Sequence, residues 1–266
     1  MADQPLERWV DGSRYEQYMG RWSRRVATEF LAWLDVPDGR RWLDVGCGTG
    51  ALSQAIVDCC KPAFLLGIDP AAGFVEHASR QLGSEHVQFR VATTATLAHD
   101  TAPFDSIVSG LALNFMPEPE VALTEMMQVA VPGGLVALYI WDYGDKMESM
   151  RYFWDAAIAA SPEALSKDEG RRFPFCRQEP LRQLLLRAGL HNVEVRAIEI
   201  TAHYASFDEY WFPFLDGWPF PAPAYYATRP QSERDAMSAH LLQRLPIRED
   251  GSFDLTLRAW AARGTT

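Results

Sequence analysis

Two carboxylates and three closely set glycines are the residues whose types and spacing best suit chemistry in this chain of 266 residues. Asp44 stands two positions before Gly46, and Gly46, Gly48 and Gly50 alternate with Cys47 and Thr49. Asp69 follows 19 positions after Gly50. Glycines at such positions let a ligand approach the backbone without meeting a Cβ. A helix beginning just after them presents unpaired N–H donors. A carboxylate about 20 residues downstream suits a ribose, because its oxygens accept from both hydroxyls. Asp69 also suits a helix N-cap, and Asp69-Pro70-Ala71 allows both roles. Three further groups are candidates for proton transfer: Asp142, Tyr143 and His203. Asp142 is equally suited to capping the next helix, and a lone histidine is more often structural.

The elements that must position these groups follow from periodicity. Residues 41–45 read as a buried strand running into the glycine loop, and a helix opens at 51 with Leu52, Ile56, Val57 and Cys60 on one face. Residues 63–69 form a continuous apolar run ending in Asp69, as expected of a parallel strand covered on both faces. A helix over 71–82, a strand over 87–91 and a strand over 104–110 come next. A helix over 118–130 with Val121, Met126 and Met127 inward, a turn at 131–134 and a strand over 135–140 complete the alternation. Met150, Phe153, Trp154, Ala157 and Ile158 fit one helical face, and Gln178-Glu179-Pro180 starts another helix. A strand over 193–200 changes apolar phase between Ala197 and Ile198, which predicts a bulge. Residues 203–226 are dense in aromatics and interrupted by Pro213, Pro219, Pro221 and Pro223, which argues against regular helix or central strand there. An amphipathic helix over 230–245 and an alternating strand over 252–262 end the series.

The glycine spacing is not the dinucleotide pattern G-x-G-x-x-G, since position 51 is alanine, and the early acid Asp44 is a second departure. The run LDVGCGTG at 43–50 instead resembles the first motif of class I S-adenosylmethionine-dependent methyltransferases of the small-molecule type. Phe104-Asp105-Ser106-Ile107-Val108-Ser109 resembles that family's second motif, and VPGGLVAL at 131–138 its LxPGG motif. The resemblance implies an α/β fold: a three-layer, Rossmann-like, seven-stranded sheet, mostly parallel, in the order 3-2-1-4-5-7-6 with the last strand antiparallel. It implies one methyltransferase domain over 1–266, with a helical lid at 1–36, a cofactor core at 41–145 and an insertion at 203–229 covering the substrate.

On the cofactor side it implies Tyr18, Arg21, Asp44, Gly46, Cys47, Gly48, Asp69, Pro70, Thr93, Thr94, Ala95, Ser109 and Gly110 around S-adenosylmethionine, which leaves as S-adenosylhomocysteine. Thr93 stands where the family has an acid facing adenine, a weaker acceptor. On the acceptor side it implies Tyr15, Trp22, Asn114, Phe115, Trp141, Tyr204 and Trp211. A sulfonium is attracted to Tyr and Trp faces. Asn114-Phe115-Met116-Pro117 is not the Asn/Asp-Pro-Pro-aromatic motif of relatives that methylate nucleic-acid amines.

Composition narrows the partners. A formal charge of −10 and the absence of a basic stripe argue against nucleic acid. No run approaches a membrane span, and the four cysteines form no C-x-x-C pair, so neither a membrane nor a metal site is expected. These features point to a cytoplasmic setting and a small-molecule substrate. The expected reaction is direct methyl displacement onto an oxygen, nitrogen or carbon of a small aromatic or apolar acceptor. The alternatives are a non-catalytic S-adenosylmethionine sensor or scaffold and a nicotinamide-dependent oxidoreductase.

Overall fold

The computed structural model of the protein describes residues 20–97, 102–215 and 221–266. Seven strands form one sheet in the order β3-β2-β1-β4-β5-β7-β6. They are β1 (Arg41–Val45), β2 (Phe64–Asp69), β3 (Val87–Val91), β4 (Phe104–Gly110), β5 (Ala130–Trp141), β6 (His191–Tyr204) and β7 (Phe253–Thr265). β1 pairs in parallel with β2 and β4, β2 with β3, and β4 with β5, whereas β7 runs antiparallel to β5. The expected sheet and its order are thus both present.

The described chain groups into two compact units. The larger holds residues 20–141, 175–198 and 259–266. Its helices are α1 (Arg21–Leu34), α2 (Ala51–Cys60), α3 (Ala72–Leu82), α4 (Pro119–Gln128) and α7 (Gln178–Arg187). β1 and β2 bury Trp42, Leu43, Val45, Leu65, Leu66 and Ile68, as central parallel strands covered on both faces require, and β1 buries the carboxylate of Asp44 among them. α1 buries Trp22, Val26, Phe30, Leu31 and Leu34, and Phe30 lies 4.8 Å from the Tyr139 ring of β5. α4 buries Ala122, Leu123 and Met126; Val121, expected inward, is exposed. β5 begins at Ala130, so the expected turn at 131–134 is part of an irregular strand, with a register shift against β4 between Phe104 and Ser106.

The second unit holds residues 142–174 and 199–258. It contains α5 (Glu148–Ala160), the one-turn α6 (Glu169–Arg172), α8 (Phe207–Leu215), α9 (Pro221–Ala227) and α10 (Gln231–Arg244); α7 (Gln178–Arg187) belongs to the larger unit. Its core is aromatic. Phe153 stacks on Phe214 at 4.6 Å and meets Trp154 edge-on at 5.1 Å, and the buried Tyr210 donates from its hydroxyl to the Ser149 carbonyl at 2.9 Å. The prolines of 203–226 do not prevent helix here. Pro213 lies within α8, and Pro221 and Pro223 lie within the described residues of α9. On β6 the burial alternates on odd positions through Ala197 and on even positions from Ile198 to Tyr204, so the phase change read from the sequence is real.

Candidate cofactor-binding site

The glycine loop sits beyond the carboxyl ends of β1 and β2. Asp44 on β1 is paired in register with Gly67 of β2 and Val108 of β4, so it is central in the sheet and completely buried. The N–H groups of Gly46 and Cys47 both donate to the Ile68 carbonyl, at 2.8 and 3.0 Å, which fastens the loop to the end of β2. Gly46 has φ +72°, and a Cβ there would lie 2.4 Å from the Ala112 Cβ, in the turn that follows β4. Only glycine satisfies both the backbone conformation and that close approach. Gly50 then caps α2.

Asp69 ends β2 and reaches back across the loop. Its Oδ2 accepts from the Gly48 N–H at 3.0 Å and its Oδ1 from the Ala71 N–H at 2.8 Å. Both candidate roles therefore have a geometric basis: the carboxylate braces the turn into α3 (N-cap Ala71) and holds the glycine loop. Each oxygen keeps a further lone pair for a ligand hydroxyl. Burial pushes the Asp69 carboxyl above its ordinary value, and the two backbone donors oppose that. Asp44 is perturbed further. Burial raises it to about 7, against the hydrogen bond that Ser53 Oγ donates to its Oδ2 at 2.6 Å, and the Asp69 charge adds to the rise. Two neighbouring acids perturbed by burial mark the loop as a candidate functional site.

The remaining polar atoms test whether S-adenosylmethionine fits. Asp44 Oδ1, Ser109 Oγ at the end of β4 and Asn114 Nδ2 in the following 3₁₀ turn (Leu113–Phe115) are buried without a hydrogen-bond partner among the described residues. Buried orphan groups are costly, and a ligand that supplies their partners removes that cost. A carboxylate oxygen, a hydroxyl and an amide N–H are groups whose partners an ammonium and a carboxylate can supply. The residues present fit the cofactor.

The other expected positions fall as follows. Pro70 follows Asp69, and Gly110 ends β4 against the Tyr139 hydroxyl. Thr93 is exposed and forms a capping box with Thr96 across the 3₁₀ turn Thr94–Thr96, which includes Thr94 and Ala95. The Ala92 N–H donates to the Asp69 carbonyl and so brings this turn beside β2. The Arg21 guanidinium lies 4.3 Å over the buried Trp22 ring on α1. Phe115 is half-buried and Trp141, ending β5, is buried. Tyr15 and Tyr18 lie outside the described residues, as do Trp218, Phe220 and most of the expected lid at 1–36.

In the second unit, Tyr204 stacks on Phe253 at 5.3 Å and Trp211 packs against Tyr226 at 5.0 Å, both within the aromatic core. Asp142 is buried, 3.4 Å from the Arg258 guanidinium, and Met147 rather than Asp142 caps α5. The Tyr143 ring lies 5.8 Å from Phe173. His203 is exposed on β6, its Nδ1 2.8 Å from Asp254 Oδ1, a surface pair. The contribution that sequence reasoning missed is Ser53. It follows the glycine loop in α2, and only the three-dimensional register shows that it holds Asp44.

Residues 43–138 match a family model described as "Methyltransferase domain". The chain is 28% identical over 166 residues to trans-aconitate 2-methyltransferase of Variovorax paradoxus, covering 62% of the chain and 59% of that protein. The match thus spans less than two thirds of that relative's length. Demethylmenaquinone methyltransferase of Staphylococcus aureus is 27% identical over 188 residues, covering 66% of the chain and 76% of the relative. In fold, the chain resembles Haemonchus contortus phosphoethanolamine N-methyltransferase 2 in complex with S-adenosyl-L-methionine, with a TM-score of 0.54 and 14% identity over 96% of this chain and 60% of that one. No described helix is long and apolar enough to cross a membrane.

Proposed function

We propose, from the match of residues 43–138 to a methyltransferase domain, that the chain is a class I S-adenosylmethionine-dependent methyltransferase that methylates an oxygen, nitrogen or carbon of a small aromatic or apolar acceptor. The observation that carries the reading is the glycine loop at the carboxyl end of β1, braced by the Asp69 carboxylate through the Gly48 N–H. When bound, the cofactor supplies a sulfonium methyl that a nucleophile can take directly, leaving the bonding pair on sulfur.

The chain's own residues bind, orient and exclude water. Asp69 accepts from the ribose hydroxyls while its two backbone donors fix its direction. Asp44 accepts from the ammonium, and the Asn114 amide donates to the carboxylate. Buried Trp22, Leu111 and Trp141 bring apolar surface to the larger unit, and a dry site keeps alignment of nucleophile and methyl productive. The two relatives are named for trans-aconitate and demethylmenaquinone, both small molecules, which supports an acceptor of that size.

The test has two stages. S-adenosylhomocysteine should bind in calorimetry at roughly micromolar Kd, about −8 kcal/mol; no binding overturns the site assignment. Methyl-labelled S-adenosylmethionine is then incubated with a panel of phenols, amines and carboxylates. Transfer to a small acceptor supports the reading. Tight cofactor binding with no transfer across the panel favours a sensor instead.

A further inference from the structure

We infer that the side chain of Leu111 forms the apolar wall at the sulfur end of the cofactor and is thereby a specificity-determining residue of the site; the inference rests on the cofactor reading above. Leu111 has φ +59°, a left-handed conformation in which a branched apolar residue is an outlier. Among the described residues, three other non-glycine positions share a positive φ. Asp35 and Lys61 are the C-caps of α1 and α2, where left-handed residues commonly end helices, and Asn192 is of a type that tolerates the conformation. Leu111 has neither excuse. It follows β4 directly, at the carboxyl end of a central parallel strand, where ligands of open α/β sheets bind.

The surrounding structure holds the strained residue in place. Its N–H donates to the Tyr139 carbonyl at 2.8 Å. On one side, Gly110 lies against the Tyr139 hydroxyl, which a Cβ on Gly110 would meet at 2.6 Å. On the other, Ala112 packs over Gly46. The Phe115 N–H donates to the Ala112 carbonyl at 2.9 Å and the Met116 N–H to the Leu113 carbonyl at 3.1 Å, which closes the turn. Strained backbone persists where its neighbours fix it in this way, and such residues cluster at ligand sites.

The backbone alone gives no reason for leucine. Gly46, Gly48 and Gly50 in the same site have φ +72°, +53° and +94° and meet the same demand with glycine. A leucine kept where glycine would hold the turn more cheaply is kept for its side chain. Filling a core does not explain it, since a strand or helix position supplies a buried leucine with no backbone cost. Leu111 is buried and stands in the chain between Ser109 and Asn114, whose Oγ and Nδ2 suit the charged amino-acid end of the ligand. A branched hydrocarbon serves neither charge. It matches the part of the cofactor without hydrogen-bonding groups, the sulfur and its adjoining carbons, and there it excludes water.

Calorimetry on the full chain with three probes tests this. S-adenosylhomocysteine and 5′-methylthioadenosine carry the sulfur, and adenosine does not. Leu111→Ala should weaken the two sulfur-bearing ligands about tenfold and change adenosine by less than about twofold. Leu111→Gly should show the same binding losses yet unfold at a higher denaturant concentration than Leu111→Ala, because glycine adopts the turn without strain. It also covers the case in which Leu111→Ala does not fold. Leu111→Met, apolar and of similar volume, should restore most of the affinity. If the parent binds S-adenosylhomocysteine and the glycine or alanine variant binds it equally well, this inference fails while the cofactor reading stands. Equal losses for all three probes, adenosine included, would show a structural role only and overturn it too. No binding of S-adenosylhomocysteine by the parent would overturn the cofactor reading and this inference with it.

Discussion

Asp44→Asn should make the ligand-free protein more stable at alkaline pH while weakening its hold on the cofactor. Asp44 is completely buried, and its carboxyl rises from 3.8 to about 7. A rise of that size costs the ionised folded protein about 4 kcal/mol. The sign follows from proton counting. Below about pH 4 both folded and unfolded chains are protonated at this position. Between about pH 4 and 7 the unfolded chain releases the proton while the folded chain keeps it, so stability falls by about 1.4 kcal/mol per pH unit and levels off above 7. Asparagine carries no charge and removes that slope. It still receives the Ser53 hydroxyl on one side, and its other polar atom stays unsatisfied where Asp44 Oδ1 now is, a cost of about 1–3 kcal/mol. The variant should therefore exceed the parent by about 1–3 kcal/mol near pH 8.5 and lose that advantage near pH 5. With the ammonium contact gone, S-adenosylhomocysteine should bind about 10- to 100-fold more weakly at the higher pH. In the parent, by contrast, binding tightens as pH rises towards 7. Denaturant unfolding at the two pH values, with calorimetric binding alongside, measures both effects. A stability difference between parent and variant that does not change with pH would refute the proton argument, and unchanged affinity would refute the ammonium contact.

Two further substitutions probe the loop. Gly46→Ala forces a Cβ to within 2.4 Å of Ala112 at φ +72°, so it should lower stability by about 2–4 kcal/mol in denaturant unfolding and abolish measurable S-adenosylhomocysteine binding. Retained binding would show that the turn after β4 yields freely. Asp69→Ala removes the acceptor of the Gly48 and Ala71 N–H groups, and calorimetry should find cofactor binding weakened by about 10- to 100-fold with the fold intact by circular dichroism. Wild-type affinity would sink the ribose assignment.

Much of this architecture is legible in the residues themselves. Phe64–Asp69 is a continuous apolar run up to its final carboxylate because it is covered on both faces, and that signal does not depend on long-range contacts. The phase change at Ala197 and Ile198 was equally readable. Helix over Phe207–Leu215 and Pro221–Ala227 was not, because proline is read as a breaker, yet α8 and α9 both contain it. Val121 shows a related limit. Periodicity gives a helix a face but does not fix its rotation by one position, and Ala122 and Leu123 take the inward places. In the site, glycines and Asp69 announce themselves by spacing. Ser53 does not, since a serine in a helix is common and its bond to Asp44 joins α2 to β1 only after folding. Asp142 and His203 carry chemistry-capable groups whose partners, Arg258 and Asp254, are distant in sequence, so only the folded chain shows them engaged.

Cys47 lies in the loop that, on this reading, grips an alkylating agent. Its thiol is buried, and burial together with the Asp44 and Asp69 charges drives its pKa well above the ordinary cysteine value. Alkylation requires the thiolate, and the acids that attract the cationic cofactor are the same ones that keep this sulfur protonated. The loop can therefore keep a soft nucleophile close to a reactive methyl donor without the protein being inactivated by its own reagent.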